Sequence, residues 1–296
     1  MSAVLFIDAN QYLNLYRMAG GGKQLLDALI EQKAHIFICR QIADEVLRNK
    51  LEVAQLFFAE LFKGTMGSVP YHLLGEDEVA KKSFDQRESS QTTLRSLASD
   101  ALCKMSRSED DVSKRLESLF DKAIPATDEE IRRARERKEV GNPPGKKNGP
   151  IGDQMAWEQL LTYCKANKRK RVWIITNDGD HLSTWKGRSF LNAFLYRELS
   201  NSCGAPLEVH CFRNLMEGIR HFAKHAGVIA EKLPTPEETV VIRNELDALP
   251  PFGWFSPNDG DAAVIQNYLI RQRYRAAMAD AGNSADTPLT MRDAED

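Results

Sequence analysis

The segment DQMAWEQLLTYCKANKRKRVWIITNDGD, residues 153–180, joins a helical pattern to a short apolar run that ends among acidic residues. Its first part, 153–167, has the spacing of apolar residues that is typical of a helix. The run VWIIT at 172–176 is continuously apolar, which is typical of a strand buried on both faces. A helix followed by such a strand is the repeating unit of a parallel sheet, so the segment predicts an α/β fold.

Three further apolar runs have the same character, and helical patterns lie between them. The runs are VLFI at 4–7, HIFIC at 35–39 and LEVHCF at 207–212, and the helical patterns are at 22–32 and 189–200. This alternation predicts βαβ units and a central, mainly parallel sheet.

The rest of the chain is organised around this α/β core. Residues from about 64 to 149 are polar and charged, contain no convincing strand and predict a helical insertion, with helices at 92–105 and 112–124. We expect one domain at 1–232 that includes the insertion. Several prolines follow residue 232, so 233–296 is predicted to be a partly irregular C-terminal extension with one helix near 262–279.

Composition excludes several classes of protein. The five cysteines are scattered and never form a CxxC pair, which favours reduced thiols over a disulfide framework. The apolar run at the N-terminus is short and broken by Asp8, unlike a signal peptide. No stretch approaches the roughly 20 apolar residues that span a bilayer. We therefore expect a cytoplasmic protein without a membrane partner.

Four acidic residues fall where the strands and helices of this fold would meet. Asp8 ends the first apolar run, and Asp178 follows the run at 172–176. Glu45 lies in the first turn of the helix after the second run, and Asp153 opens the helix at 153–167. Open α/β sheets bind ligands beyond the carboxyl ends of their strands, so these acids are the candidate site.

A cluster of carboxylates has a chemical consequence. Two carboxylates about 4 Å apart repel each other by roughly 4 kcal/mol at an effective dielectric constant near 20, so four together require protons or a cation. Oxygen ligands suit Mg²⁺ or Mn²⁺, and such ions serve phosphoryl transfer by activating a water. Any single Asp here could instead cap a helix or form a turn, although capping does not require the four to converge.

These segments resemble the motifs of PIN domains, in the same order and strand context. The segments are FIDANQYLNLYR (6–17), ADEVLRN (43–49), IGDQMAWEQLL (151–161) and IITNDGDHL (174–182). The resemblance implies a three-layer α/β/α fold and a metal-dependent nuclease that usually acts on RNA. It implies that Asp8, Glu45, Asp153 and Asp178 hold Mg²⁺ or Mn²⁺, that Asp180 is a further metal ligand, and that Asn10, Thr176 and Asn177 orient the acids.

The chain departs from the compact PIN pattern in two places. Glu45 and Asp153 are 108 residues apart, so the chain looks like the larger bacterial PIN-like proteins that carry a helical insertion. His181 stands where an aromatic Phe is often seen. From the resemblance we expect an endoribonuclease that could pair as a homodimer. As a separate hypothesis, a regulatory protein partner or the insertion keeps the activity off, because an unrestrained nuclease would harm its host.

Basic residues near the end of the insertion are candidate contacts for a phosphate backbone. They are Arg135, Arg137, Lys146 and Lys147, of which the two lysines lie in the loop just before Asp153. A solvated helix face would explain the two arginines equally well.

Two other functions stay open at this stage. A catalytically silent PIN-like protein could serve as a scaffold for nucleic acid or protein, although clustered acids give a scaffold no advantage. A phosphohydrolase of the haloacid-dehalogenase type could use Asp8 as its nucleophile, but that chemistry needs a second Asp where this chain has Asn10.

Overall fold

The four strands that the sequence predicts are present, and helices separate them along the chain. The computed structural model describes residues 3–18, 20–63, 78–145, 149–204 and 206–249. The strands are β1 (Ala3–Ile7), β2 (Ile36–Phe37), β3 (Arg171–Ile175), β4 (Leu182–Trp185), β5 (Arg188–Leu191) and β6 (Glu208–Phe212). The helices are α1 (Ala9–Asn14), α2 (Gly22–Glu31), α3 (Arg40–Lys63), α4 (Glu78–Ser106), α5 (Asp111–Phe120), α6 (Asp128–Val140), α7 (Gly152–Ala166), α8 (Ala193–Cys203), α9 (Leu215–Ala226) and α10 (Pro236–Ala248).

A parallel sheet of four strands forms the centre, in the order β2-β1-β3-β6, with helices packed around it. The α/β class and the mainly parallel sheet are therefore confirmed. Strand β1 pairs with β3 along its whole length, from Ala3 opposite Arg171 to Ile7 opposite Ile175. Every residue of β1 is buried, which is why its sequence is continuously apolar.

Helix α9 packs against β1, β3 and β6. Its Gly218 allows a close approach, because a Cβ at this position would lie 2.3 Å from Cδ1 of Ile175. The helix thereby supports the end of β3 from which Asp178 follows.

A β-hairpin that was not predicted from the sequence follows β3. Strands β4 and β5 pair antiparallel, and the turn between them uses positive φ angles at Lys186 (46°) and Gly187 (76°). The predicted helix at 189–200 is wrong in its first residues, since they form β5. Helix α8 begins later because the side chain of Asn192 accepts a hydrogen bond from the backbone of Phe194 and caps it.

The region predicted to be a helical insertion contains α4, α5 and α6. In its described parts, 78–145 and 149, the backbone makes no strand pairing beyond one isolated bridge between Ile124 and Cys39. Buried Lys50 of α3 ties the insertion to the core, because its Nζ donates to Oγ of Ser108 at 2.6 Å and of Ser113 at 2.9 Å.

Helix α10 extends the described fold beyond the predicted domain boundary at residue 232. It starts with a capping box formed by Thr235 and Glu238, and Glu245 accepts a hydrogen bond of 2.9 Å from the backbone of Gly21. The predicted helix at 262–279 lies outside the described residues, and the boundary stays a prediction. In the described ranges, no helix is both long and apolar enough to cross a membrane.

Candidate active site

Asp8 follows β1 and accepts hydrogen bonds at both of its carboxylate oxygens. Oδ1 accepts from the backbone of Ala9 at 2.7 Å, which is a helix-capping bond. Oδ2 accepts from Nδ2 of Asn10 at 2.8 Å and from Oγ1 of Thr176 at 2.6 Å. Asp8 therefore caps α1, and Oδ2 is also fixed by the two side chains that the sequence suggested as orienting groups.

Thr176 connects Asp8 to the second acidic segment. Its hydroxyl donates to Asp8 and accepts a hydrogen bond of 3.0 Å from the backbone of Asp178. The carboxylate of Asp178 in turn accepts from the backbone of Asp180 at 3.0 Å and lies 3.2 Å from Nδ1 of His181. A short turn after β3 therefore places Asp178 beside Asp8.

Asp153 lies in the first turn of α7. Glu45 lies in the second turn of α3, one turn later than the sequence predicts, because the helix already begins at Arg40. The two helices lie against each other. A Cβ on Gly152 would lie 2.5 Å from Nε2 of Gln41, so the glycine lets the start of α7 approach the start of α3. The side chain of Gln41 also hydrogen-bonds to Glu45. The close approach brings Asp153 near Glu45.

The pKa values show that these acids share one region of negative potential. Burial raises the pKa of Asp8, and Asp178 adds to the rise. Burial, then the charges of Asp8 and Asp153, raise the pKa of Glu45 to about 7. Burial, then the charge of Asp8, raise the pKa of Asp153 to about 6, with smaller contributions from Asp178 and Asp180. The structure thus brings the predicted acids together as partly buried, mutually repelling groups.

His181 is a component of the site to which the sequence assigned no role. It is buried, and its ring centroid lies 6.4 Å from that of Phe6 and 6.2 Å from that of Trp157. Burial disfavours its charged form, but the hydrogen bond to Asp178 and the charges of Asp8, Asp178 and Asp153 outweigh burial and raise its pKa. Its position three residues after Asp178 was the available sequence signal.

The donor set can be tested against a divalent cation. All four acids offer oxygen, and burial, followed by the charges of neighbouring acids, raises the pKa of Asp8, Glu45 and Asp153. Oδ1 of Asn10 is buried without a hydrogen-bond partner among the described residues. Within those residues no three His, Cys, Asp or Glu side chains are arranged as a metal cage. Mg²⁺ commonly takes only one or two carboxylates and keeps several waters, so the residues fit such an ion without forming a closed cage.

The four basic residues that were predicted to contact nucleic acid differ in where the structure places them. Lys146 and Lys147 lie outside the described residues. Arg135 is exposed on α6, whereas Arg137 is buried. Asn177 is exposed, and among the described residues its side chain makes no hydrogen bond to any of the four acids, so its predicted orienting role is not supported.

Arg137 stabilises the fold, which corrects its assignment as a nucleic-acid contact. Its Nη2 lies 2.6 Å from Oε1 of Glu158 and 2.7 Å from Oε1 of Glu198. Its Nη1 donates to the carbonyl of Pro143 at 2.6 Å. With a side chain only 5% exposed, Arg137 joins α6 to α7 and α8 and is not available to a phosphate.

Comparison with known proteins identifies the family. The family model described as "PIN domain" matches residues 5–181, which is more than half of the chain and includes all four acids. No match was found among curated proteins or among solved structures. PIN domains are generally nucleases and typically use divalent metals. The chain belongs to the PIN domain family.

Proposed function

We propose that this protein is an endoribonuclease that requires Mg²⁺ or Mn²⁺. The observation that carries the proposal is the convergence of Asp8, Glu45, Asp153 and Asp178, three of which have a raised pKa because of burial and mutual repulsion. Such an arrangement is costly for a protein that does not bind a cation. Membership of a family that is generally made up of nucleases supports the same conclusion.

The acidic residues would bind the metal ion in such a reaction. Asp8, Glu45, Asp153 and Asp178 would hold the ion, and Asp180 lies close enough to influence the charge of Asp153. When bound, the ion lowers the pKa of a water and stabilises charge on the phosphate.

Three neutral or basic side chains position the acids. Thr176 and Asn10 hold Oδ2 of Asp8 by hydrogen bonds, so that this carboxylate keeps one orientation. His181 holds Oδ2 of Asp178 from the buried side. The positively charged form of His181 would also offset part of the negative charge of the cluster while the site awaits its substrate.

A cleavage assay tests the proposal directly. Purified protein is incubated with labelled single-stranded RNA or DNA in Mn²⁺, Mg²⁺ or EDTA. We expect RNA cleavage that requires the metal, is lost in Asp8→Asn, and persists in the matched control Asp100→Asn, because Asp100 is exposed on α4. Cleavage that survives EDTA or Asp8→Asn would contradict the proposal.

Metal binding separates an inhibited enzyme from a scaffold. We expect calorimetry to detect Mn²⁺ binding to the wild-type protein and much weaker binding to Asp153→Asn. A protein that neither cuts RNA nor binds Mn²⁺ would be a catalytically silent scaffold. A protein that binds Mn²⁺ without cutting would point to an enzyme kept inactive by a regulatory partner or by the insertion.

A further inference from the structure

The hairpin β4–β5 presents an aromatic and basic face to solvent. We call Trp185, Lys186, Arg188 and Phe190 the hairpin face. Trp185 is 65% exposed and Phe190 is 48% exposed, which is unusual for side chains of this size. The remaining two residues are also exposed.

The strand register explains why the two aromatic side chains lie on the same side. Trp185 pairs with Arg188, and Phe190 pairs with Ser183. Directly paired residues share a face and side chains alternate along a strand, so Trp185, Arg188 and Phe190 lie on one face. The opposite face carries Leu182, which is 1% exposed and belongs to the core. The aromatic side chains are therefore displayed outward on a supported hairpin.

Positive charge accompanies the aromatic rings. Nζ of Lys186 lies 4.7 Å from the ring centroid of Trp185. Arg188 lies directly across from Trp185 in the other strand. Arg213 is exposed, and its guanidinium reaches the carbonyl of Leu182 at the base of the hairpin, at 3.5 Å. Aromatic faces interleaved with cations are the surface that single-stranded nucleic acid binds, because bases stack on the rings and phosphates pair with the cations.

The base of the hairpin is joined to the acidic site at both ends. At one end, the backbone of Leu182 donates to the carbonyl of Asp178 at 3.2 Å. At the other end, the backbone of Asn192 donates to the carbonyl of His181 at 2.8 Å. A four-residue strand extends about 13 Å at 3.3 Å per residue, so the hairpin face lies within a few nucleotides of the acids.

We infer that the hairpin face binds the unpaired bases of a single strand and guides that strand to the acidic site. The inference rests on the proposed function for its choice of RNA as the ligand. Bases inside a duplex are already stacked and cannot reach an aromatic side chain, so the hairpin face selects single-stranded over double-stranded RNA.

Binding to a short fluorescent single-stranded RNA, measured by anisotropy in EDTA, tests the inference without cleavage. We expect Trp185→Ala and Phe190→Ala each to raise Kd by about fivefold or more, the effect of losing one stacked base. Trp185→Tyr keeps a ring and should restore most of the affinity. Tyr196→Ala is the matched control, because Tyr196 is a 45% exposed aromatic side chain on α8 and its loss should leave Kd unchanged.

The charged residues give a second measurement. We expect Arg188→Gln to reduce the slope of log Kd against log salt concentration by about 0.7, the value for one phosphate contact of a single strand. Lys165→Gln is the control, since Lys165 is exposed at the other end of α7 from Asp153. An unchanged slope in Arg188→Gln would overturn the role of this cation.

Three results would overturn the inference. The first is that Trp185→Ala and Phe190→Ala bind single-stranded RNA as tightly as the wild type does. The second is that they weaken binding to single-stranded RNA and to a duplex of the same sequence by the same factor. The third is that their only effect is the loss of self-association in sedimentation, which would make the hairpin face a contact between two copies of the chain. Failure of the proposed function would be recognised separately, by cleavage that persists in Asp8→Asn.

Discussion

Replacing Glu45 with Gln should stabilise the protein when no divalent cation is present. Glu45 has a pKa of about 7 in the folded protein against an ordinary value of 4.5, because it is partly buried beside Asp8 and Asp153. The folded protein therefore binds this proton more tightly than the unfolded chain does. The stability that the proton gives is present below pH 4.5 and is lost as the pH rises through 7.

The size of the effect follows from these two pKa values. At about 1.36 kcal/mol per pKa unit, the ionised Glu45 destabilises the folded state by roughly 3 kcal/mol above pH 7. Gln keeps the size and helix propensity of the side chain but carries no charge. A gain of this size corresponds to a rise in Tm of about 6–12 °C for a unit of this length.

Thermal unfolding of both proteins in EDTA at pH 4 and pH 8 measures the effect. We expect Glu45→Gln to be more stable than the wild type at pH 8 and to differ little at pH 4. Glu52→Gln is the matched control, because Glu52 is exposed on the same helix. Addition of Mn²⁺ should stabilise the wild type more than Glu45→Gln and so reduce the difference between them.

Equal stability of Glu45→Gln and the wild type at pH 8 in EDTA would refute the reasoning. It would mean that Glu45 is not held near the other acids, and the case for a shared metal site would lose its electrostatic basis. A difference that is the same at pH 4 and pH 8 would show that the substitution acts through packing instead of charge.

Three further predictions concern residues that stabilise the fold. Arg137→Met should destabilise the fold by about 3 kcal/mol in chemical denaturation, because buried Glu158 would lose one of its two arginine partners and keep only the partly exposed Arg133. Thr176→Val should cost about 1.5–3 kcal/mol, and more where Asp8 is ionised than where it is protonated, since its hydroxyl lowers the pKa of Asp8. Gly187→Ala should cost about 1–2 kcal/mol locally, seen as faster hydrogen exchange of the hairpin amides, because its φ is positive.

Each of these predictions has a control in the same chain. Arg132→Met removes an arginine that is 57% exposed on the same helix, so its effect should be small. Thr184→Val changes an exposed threonine on β4. Gly20→Ala changes a glycine with no atom within 4 Å of the added Cβ. Control variants that behave like their counterparts would show that burial, hydrogen bonding and backbone angle are not the causes.

The sheet and the acidic site were predictable because their signals are local. The runs at 4–7 and 172–175 are apolar at every position, which follows from burial on both faces of the sheet. Asp8 directly follows the first run and Asp178 lies three residues after the second, so the topology of a parallel sheet places them at the same edge.

The role of Arg137 and the hairpin β4–β5 could not be predicted from the sequence, because both depend on contacts that form only in the folded chain. Arg137 looks like an exposed basic residue until Glu158 and Glu198 are brought beside it in the fold. The hairpin β4–β5 has a Lys-Gly turn in place of the more recognisable Asn-Gly, and its aromatic residues fit a helical pattern equally well. Local propensity does not distinguish a helix from a hairpin here, and the hairpin forms because β4 pairs with β5.

The strand order sets the moment at which the protein acquires its site during synthesis. Strand β1 lies between β2 and β3, although the whole insertion separates β2 from β3 in sequence. One edge of β1 therefore stays unpaired on the ribosome until β3 has emerged, and the step that pairs them also brings Asp178 to Asp8. We expect shortened nascent chains that end before β3 to be inactive and prone to aggregation, as a protease-sensitivity assay of arrested chains can measure.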